Sequence, residues 1–332
     1  MKISVLGAGG WGTTLAILLH YNGHKVTVWE YNKSYAKQLN KTRINKIYLP
    51  GVEIPGEINF THSLDDACYQ QDMIVIAVPS QFIRSVLKNC KSYDFTDTIF
   101  TSVAKGIEKG TLKRVSQIIK DEIPKISLDQ IGVLSGPSHA EEVSKRIPTA
   151  VVAASADHQT SKQIQVAFIT SYFRVYSSTD LIGVELGGSL KNVIAIGAGI
   201  VDGAELGDNT KAAIMTRGIA EMSRLGTAMG ANAETFAGLS GMGDLIVTCM
   251  SQHSRNRFVG EQIGKGKKLK TIIKSMNMVA EGVETCRSVH ELATKNKISA
   301  PISEATYNIL FLEKDPQKIT YDLMTRDMKE ED

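Results

Sequence analysis

Short runs of apolar and β-branched residues alternate with amphipathic stretches through roughly the first half of the chain. Runs of the first kind predict strands, and apolar residues repeated every three or four positions predict helices. The predicted strands cover residues 2–6, 25–29, 73–78, 98–103, 131–134, 149–154 and 173–176. The helices predicted between them cover residues 11–21, 34–39, 81–88, 112–121, 140–145 and 158–169. This alternation is typical of a sheet with helices packed against it.

The strand predicted at residues 73–78 reads MIVIAV and contains no polar residue. Strands that are apolar on both faces are typical of parallel sheets covered by helices on both sides. After residue 177 the strand pattern ends, and long helical patterns continue up to the charged sequence TRDMKEED. We therefore predict an α/β fold. A Rossmann-like, doubly wound, mostly parallel sheet forms a dinucleotide-binding domain in residues 1–177, and residues 178–332 form an all-helical domain with a short charged tail.

A glycine-rich sequence, GAGGWG, lies at residues 7–12, directly between the first predicted strand and the first predicted helix. It matches the GxGxxG pattern, in which Gly7 permits a tight turn and Gly9 lets the backbone approach a pyrophosphate. Gly12 then allows the helix and the strand to pack closely. The N–H groups at the start of the helix face the phosphates in such sites. The motif therefore predicts a dinucleotide cofactor in the first domain.

Glu30 ends the second predicted strand, about 20 residues after the glycines, where this fingerprint has an acidic residue. A carboxylate there accepts hydrogen bonds from the ribose hydroxyls of NAD and repels the 2′-phosphate of NADP. Lys33 lies three residues further along and is a competing partner for that phosphate. Because a lysine ammonium is flexible, we expect Lys33 to weaken the preference for NAD without reversing it.

Composition excludes several other classes of protein. The 332 residues are 42% apolar and 22% charged, and the net charge of +3 is too small for a nucleic-acid-binding protein. We interpret the basic stretch GKGKKLK at 264–270 as a solvated connection between helices. The longest weakly polar run, residues 193–201, is shorter than the roughly 20 residues that span a membrane. We therefore expect neither nucleic acid nor a membrane span.

Cysteine usage and the N-terminus bear on location. The cysteines are far apart and form no CxxC pair, so neither a disulfide framework nor a metal site is predicted. They are Cys68, Cys90, Cys249 and Cys286. The first residues lack the long apolar core and cleavage site of a signal peptide. We therefore expect a reducing, cytoplasmic location.

Two lysines lie in surroundings that indicate chemistry. Lys191 occurs in ELGGSLKNVIAIGAG, an otherwise apolar helical pattern in which an uncompensated ammonium is costly. Such a lysine is functional or paired, unless it extends its ammonium to the surface. Lys105 follows a predicted strand in SVAKGIEKG. Because an ammonium can protonate a developing alkoxide and stabilise its charge, both lysines are candidates for a nicotinamide-dependent reaction.

Two further segments place polar groups after turns. Asp244 follows the turn GLSGMG, and Thr248 lies four residues later, on the same face if the segment is helical. Ser254 is a candidate N-cap, which places Arg255 and Asn256 in the first turn of the next helix. The free N–H groups there favour an anion, and arginine is well suited to phosphate. The alternative for this segment is an arginine exposed to solvent.

Sequence blocks along nearly the whole chain resemble those of the bacterial-type NAD(P)-dependent glycerol-3-phosphate dehydrogenases. In order, the blocks are GAGGWGTTLA, VAKGIE, SGPSHAEEV, ELGGSLKNVIAIGAGIVDG, TRGIAEM, GMGDLIVTC, SRNR and VAEGVET. The resemblance implies reversible hydride transfer between NAD(P)H and dihydroxyacetone phosphate, which gives sn-glycerol 3-phosphate for phospholipid synthesis. It also implies a homodimer.

The resemblance implies roles for individual residues as well. Lys191 would be the catalytic acid and base, with Lys105, Asp244 and Thr248 beside it. The residues implied to bind substrate are Lys105, Gly136, Ser138, Lys191, Asp244, Ser254, Arg255 and Asn256. The residues implied to bind the cofactor are Gly7, Gly9, Gly10, Trp11, Gly12, Glu30, Tyr31, Lys105, Ala140, Arg255, Val279 and Glu281.

The chain departs from the family's pattern at two places in the cofactor site. Gly10 stands where the family often has serine, and Glu30-Tyr31 stands where a basic residue can follow the second strand. The second departure favours NAD over NADP. Two alternatives are another two-domain dehydrogenase, such as the 6-phosphogluconate type, and a dinucleotide-sensing module without catalysis. The presence together of Lys105, Lys191, Asp244 and Arg255 argues against the second.

Overall fold

The computed structural model describes residues 1–328 and residue 330; residues 329, 331 and 332 of the predicted tail lie outside the described residues. The strands in the described chain are β1 (Lys2–Leu6), β2 (Lys25–Trp29), β3 (Asn59–Thr61), β4 (Met73–Ile76), β5 (Ile99–Ser102), β6 (Ile131–Ser135), β7 (Thr149–Ser155) and β8 (Phe173–Ser178). They form one sheet in the order β3-β2-β1-β4-β5-β6-β7-β8. Neighbouring strands are parallel except β6 and β7. The predicted doubly wound, mostly parallel sheet is confirmed.

Helices of the sheet domain connect these strands. They are α1 (Gly10–Tyr21), α2 (Lys33–Thr42), α3 (Leu64–Cys68), α4 (Ser80–Lys88), α5 (Val115–Glu122), α6 (Ala140–Val143) and α7 (His158–Phe168). The all-apolar strand β4 is buried on both faces as expected. Met73 and Val75 belong to the apolar cluster on one side of the sheet, while Ile74 and Ile76 belong to the cluster on the other side.

The sequence pattern was wrong about some elements of the sheet domain. The strand β3 and the helix α3 were not predicted. The strand has three residues and pairs only with β2 at the sheet edge, so it needs no long apolar run. The helix predicted from residue 112 begins at Val115, since Leu112 has a left-handed φ of 59°. The helix predicted up to residue 145 ends at Val143, shortly before Arg146 with its φ of 60°.

The chain after β8 is helical. Its helices are α8 (Leu181–Gly203), α9 (Asp208–Ala228), α10 (Asp244–Met250), α11 (Arg255–Gly264), α12 (Leu269–Ser275), α13 (Glu281–Lys295), α14 (Pro301–Leu312) and α15 (Pro316–Met324). The basic stretch at 264–270 connects α11 to α12, as predicted.

The helix α8 forms the centre of the helical domain, and α9, α10, α11, α13 and α14 pack around it. Its closest neighbour is α11. A Cβ atom at Gly260 would lie 2.0 Å from the carbonyl oxygen of Ile196, and one at Gly199 would lie 2.1 Å from the carbonyl oxygen of Arg257. Because only glycines permit this approach, the start of α11 is held at a fixed place beside α8.

Among the described residues, α8 is the helix that is long and apolar enough to cross a membrane by length and composition. Its apolar window is completely buried inside the protein. The apolar character of α8 therefore serves the core of the helical domain.

Candidate active site

The glycine motif connects β1 to α1 as the sequence predicts. A Cβ atom at Gly12 would lie 2.0 Å from the carbonyl oxygen of Gly7, so a side chain there would separate the helix from the loop. At Gly9, by contrast, a Cβ atom would meet no described atom within 4 Å. The backbone at Gly9, directly before α1, is thus open to a ligand, and the first turn of α1 has no acidic residue in the described chain. This arrangement fits the pyrophosphate of a dinucleotide, which needs free N–H groups and close approach to the backbone.

Gly10 and Trp11 occupy the first turn of α1 in different ways. A Cβ atom at Gly10 would lie 2.5 Å from the carbonyl oxygen of Tyr48, so the segment after α2 closes over this position. That contact gives a physical reason for glycine at this place. Trp11 is half-buried, and its ring lies 6.4 Å from the ring of Phe173 in β8.

Glu30 is buried at the end of β2, with 5% of its surface exposed. Its Oε1 accepts a hydrogen bond from the N–H of Asn32 at 3.0 Å. Burial raises the pKa of the carboxyl, and the backbone N–H groups of Asn32 and Ala8 oppose that shift. The carboxyl therefore lies next to the glycine motif. Tyr31 is 73% exposed, and Lys33 is exposed at the start of α2.

Lys191, Asp244 and Lys105 form a chain of alternating charge, in which Lys191 and Asp244 are buried and Lys105 is half-buried. From α8, Nζ of Lys191 lies 3.0 Å from Oδ1 of Asp244 at the start of α10 and donates to Oγ1 of Thr248 at 2.6 Å. The other carboxylate oxygen, Oδ2, accepts from Nζ of Lys105 at 2.7 Å. The sequence left open whether Lys191 reaches the surface; it is buried and paired.

The two domains meet in this cluster, and its charges shift one another. Burial lowers the pKa of Lys191 to about 8, against the attraction of Asp244 and together with the repulsion of Lys105. Burial by itself raises the pKa of Asp244, but the ammonium groups of Lys105 and Lys191 outweigh it and hold that pKa below its usual range. The result is an ionised carboxylate between two ammonium groups, one of which titrates near neutral pH.

The turn after β6 holds Lys105 on its other side. Nζ of Lys105 donates to the carbonyl oxygen of Gly136 at 2.9 Å, and Oγ of Ser138 donates to the same oxygen at 2.9 Å. Gly136 has a φ of +145°, and a Cβ atom there would lie 2.9 Å from Cα of Val151. Ala140 follows in α6, and its carbonyl oxygen accepts from the hydroxyl of Thr14 in α1 at 3.4 Å. This turn therefore runs from the lysine cluster to the glycine motif.

The segment from Ser254 to Asn256 starts α11 as predicted. Oγ of Ser254 accepts from the N–H of Arg257 at 3.1 Å and caps the helix. Arg255 is exposed, and its Nη1 donates to the carbonyl oxygen of Val279 at 2.7 Å. Asn256 is buried; its Oδ1 accepts from the N–H of Gly282 at 3.0 Å. At the start of α11, Arg255 is therefore exposed, while Ser254 and Asn256 on either side of it are buried.

Glu281 connects the two domains. Its Oε1 accepts from the N–H of Ser80 at 2.7 Å, and its Oε2 accepts from the N–H of Lys105 at 3.3 Å. Both carboxylate oxygens therefore bind the backbone of the sheet domain, at the ends of β4 and β5. Val279, two residues earlier, is 44% exposed.

Sequence reasoning missed two residues near the cluster. Asn192 donates from Nδ2 to the carbonyl oxygen of Lys105 at 2.8 Å and accepts from Nδ2 of Asn256 at 2.8 Å. An amide on an apolar helix next to Lys191 was the available signal. His139 precedes α6, and its buried Nε2 has no hydrogen-bond partner among the described residues. No local pattern distinguished it.

Comparisons with known proteins agree along the chain. Residues 2–161 match the family model described as NAD-dependent glycerol-3-phosphate dehydrogenase N-terminus, and residues 180–321 match that of the C-terminus. A protein of Chlorobium phaeobacteroides named glycerol-3-phosphate dehydrogenase, NAD(P)+, is 52% identical over 331 residues, which cover 100% of this chain and 99% of that protein. A protein of the same name from Thermoanaerobacter is 50% identical over 331 residues, with the same shares covered.

Solved structures give the same result. The crystal structure of glycerol-3-phosphate dehydrogenase from Coxiella burnetii has a TM-score of 0.93 at 37% identity, covering 98% of this chain and 99% of that one. The enzyme of Saccharomyces cerevisiae has a TM-score of 0.83 at 28% identity, with the same shares covered. These matches decide against the 6-phosphogluconate type and against a module without catalysis. The chain is an NAD(P)-dependent oxidoreductase that belongs to the family of NAD-dependent glycerol-3-phosphate dehydrogenases.

Proposed function

We propose that Lys191 is the proton donor when this enzyme reduces dihydroxyacetone phosphate to sn-glycerol 3-phosphate. The observation that carries the proposal is the buried ammonium of Lys191, held at 3.0 Å by Asp244. A pKa of about 8 leaves this group mostly protonated at neutral pH and close to the pH at which it can release a proton.

Each residue of the cluster has a different role in the proposed reaction. Nζ of Lys191 donates its proton to the oxygen of the substrate's C2 carbonyl, and takes it back in the reverse direction. When bound, the nicotinamide cofactor supplies the hydride. Lys105 stabilises the negative charge that develops on that oxygen. Asp244 stays ionised between the lysines and, with Thr248, directs Nζ of Lys191.

The substrate's phosphate group is assigned to the start of α11. The helix dipole and the guanidinium of Arg255 both attract an anion there, and the first turn of α11 holds no acidic residue in the described chain. Ser254 and Asn256 flank Arg255 in the proposed site. On the opposite side, Gly136 and Ser138 contact the substrate next to Lys105.

The cofactor is assigned to the glycine motif, with NAD favoured over NADP. The buried carboxyl of Glu30 beside Ala8 supports hydrogen bonds to the ribose hydroxyls and repulsion of a 2′-phosphate. Further groups are proposed to border the dinucleotide. They are Gly7, Gly9, Gly10, Trp11, Gly12, Tyr31, Lys105, Ala140, Arg255, Val279 and Glu281.

A homodimer in the cytoplasm is also proposed. The four cysteines are free and buried, which suits a reducing compartment. Met242 in the turn before α10, and Ile246 and Met250 in α10 itself, are spaced four residues apart and are 40%, 41% and 65% exposed. Such an apolar face is typical of subunit contacts. Light scattering after size-exclusion chromatography measures the mass directly.

Steady-state kinetics tests the proposed reaction. We expect NADH oxidation that depends on dihydroxyacetone phosphate, with little activity on unphosphorylated dihydroxyacetone, and we expect no reduction of NAD⁺ or NADP⁺ by 6-phosphogluconate. NADH oxidation that does not depend on dihydroxyacetone phosphate would contradict the proposal. The same assay with NADPH gives the cofactor ratio, and a kcat/KM more than about tenfold higher for NADPH would contradict the assignment to Glu30.

A further inference from the structure

Asn45 is completely buried beside the glycine motif, in the segment between α2 and β3. Its Nδ2 donates to the carbonyl oxygen of Ala8 and to Oγ1 of Thr13, each at 2.8 Å. Its Oδ1 accepts from the hydroxyl of Tyr35 at 2.7 Å and from the N–H of Tyr48 at 3.0 Å. Because a backbone N–H can only donate, Tyr48 fixes which end of the amide is oxygen. The amide of Asn45 therefore forms all four of its hydrogen bonds, two as donor and two as acceptor.

The contact with Ala8 determines how one peptide group of the glycine motif is oriented. Ala8 and Gly9 share that peptide, and in a trans peptide the C=O and N–H bonds point in opposite directions. Asn45 holds the carbonyl oxygen of Ala8 toward the interior, and Thr13 adds a longer contact of 3.3 Å. The N–H of Gly9 therefore points away from Asn45. A Cβ atom at Gly9 would meet no described atom within 4 Å, so the backbone of this residue is open to a ligand.

We propose that Asn45 is a positioning residue of the cofactor site, because it keeps the N–H of Gly9 directed at the pyrophosphate. A peptide turned the other way would direct the carbonyl oxygen of Ala8 at the phosphates, which would repel it. This inference rests on the proposed placement of the dinucleotide at the glycine motif. It also accounts for Gly10, since the segment that carries Asn45 brings the carbonyl oxygen of Tyr48 within 2.5 Å of a Cβ there.

Two matched substitutions separate this role from a merely structural one. Asn45→Asp keeps an oxygen for Tyr35 and Tyr48 and replaces the donor that faces Ala8 with a second oxygen. Tyr35→Phe removes one contact on the acceptor side of Asn45 and leaves the contact with Ala8. Both variants lose stability, which thermal unfolding measures. Only Asn45→Asp is expected to weaken the binding of NADH.

The readout is the Kd of NADH, measured from its fluorescence in the absence of substrate. We expect the Kd to rise by about tenfold or more in Asn45→Asp and to stay within about twofold in Tyr35→Phe. At saturating NADH, kcat and the KM of dihydroxyacetone phosphate should stay within about twofold of the wild type in both variants. If Asn45→Asp does not fold, Asn45→Ala removes the same donor without adding a charge.

An unchanged Kd in a folded Asn45→Asp or Asn45→Ala protein would overturn the inference. So would an equal rise in Tyr35→Phe, because it would show that the effect follows from lost stability alone. Failure of the wild-type protein to bind either reduced cofactor would instead overturn the cofactor placement in the proposed function. The two failures are therefore distinguishable.

Discussion

Replacing either charged neighbour of Lys191 should move the pH dependence of the reaction, and the two replacements should move it in opposite directions. Asp244→Asn removes the carboxylate whose Oδ1 lies 3.0 Å from Nζ of Lys191. Lys105→Gln removes a like charge from the other side of that carboxylate and keeps a hydrogen-bond donor. The first change makes Lys191 easier to deprotonate, and the second makes it harder.

The distance between Lys191 and Asp244 gives the size of the larger pKa shift, the one expected in Asp244→Asn. At 3.0 Å and an effective dielectric constant of about 20, the attraction between the two charges is about 5 kcal/mol. One pKa unit corresponds to about 1.4 kcal/mol. If the variant loses even a third of this attraction, the pKa of Lys191 falls by at least about one unit. The rest of the lost attraction is offset by water that enters the site and solvates the ammonium of Lys191.

The assay is the pH profile of kcat/KM for dihydroxyacetone phosphate at saturating NADH. The proton donor must be protonated in this direction, so the wild-type rate should fall as the pH rises through about 8. We expect this descending limb to lie at least about one pH unit lower in Asp244→Asn and at higher pH in Lys105→Gln. In the oxidation direction, where Lys191 acts as a base, the corresponding ascending limb should move in the same way.

Stability is the control for this experiment. Asp244→Asn removes the counter-charge of Lys191 and Lys105 and leaves them only neutral acceptors, such as Thr248 and the carbonyl oxygen of Gly136; removing one partner of a buried ion pair costs about 3 to 5 kcal/mol. The profiles should therefore be measured well below the Tm of each variant, with circular dichroism as a check on folding. Limbs that stay at the wild-type pH in both folded variants, or that move in the same direction, would refute the assignment of the limb to Lys191.

Three further substitutions test the remaining assignments. Lys191→Met keeps the length of the side chain and removes the proton donor, so kcat should fall by about 10² to 10⁴ while the Kd of NADH is unchanged; a variant with more than a tenth of the wild-type kcat would exclude this role. Arg255→Ala should lose about 2 to 4 kcal/mol of transition-state binding for dihydroxyacetone phosphate, and an unchanged preference over unphosphorylated dihydroxyacetone would assign the phosphate elsewhere. Glu30→Ser should shift the ratio of kcat/KM values toward NADPH, and a constant ratio would mean that Glu30 does not face the ribose.

The features that the sequence predicted well depend on neighbours in the chain. The glycine motif, its strand and its helix are adjacent, so the pattern of residues 2–21 contains the whole unit. Lys191 stood out because a charge interrupts an apolar helical pattern, and Ser254 stood out because a cap precedes the helix that it serves. In each case the physical cause lies within a few residues.

The features that it missed depend on distant contacts. The family resemblance implied a role for Glu281, but its bond with the N–H of Ser80, 201 positions away in the chain, is a contact that no local pattern can indicate. Asn45 is a single amide in an irregular segment, where asparagine is common for other reasons. The strand β3 is three residues long and pairs on one side only. Tertiary contacts determine all three, so they became visible only in the folded chain.

The crowded surroundings of α8 have a mechanical consequence for the proposed proton transfer. An α-helix turns by about 100° per residue, so a roll of α8 through even part of that angle would swing Lys191 away from Asp244. Close contacts of Gly199 and Gly260 with the backbone of the facing helix oppose such a roll, because rotation of α8 would bring larger side chains against that backbone. The close packing of α8 against α11 therefore also helps to hold the ammonium of Lys191 beside Asp244, so the same contacts serve folding and the proposed proton transfer.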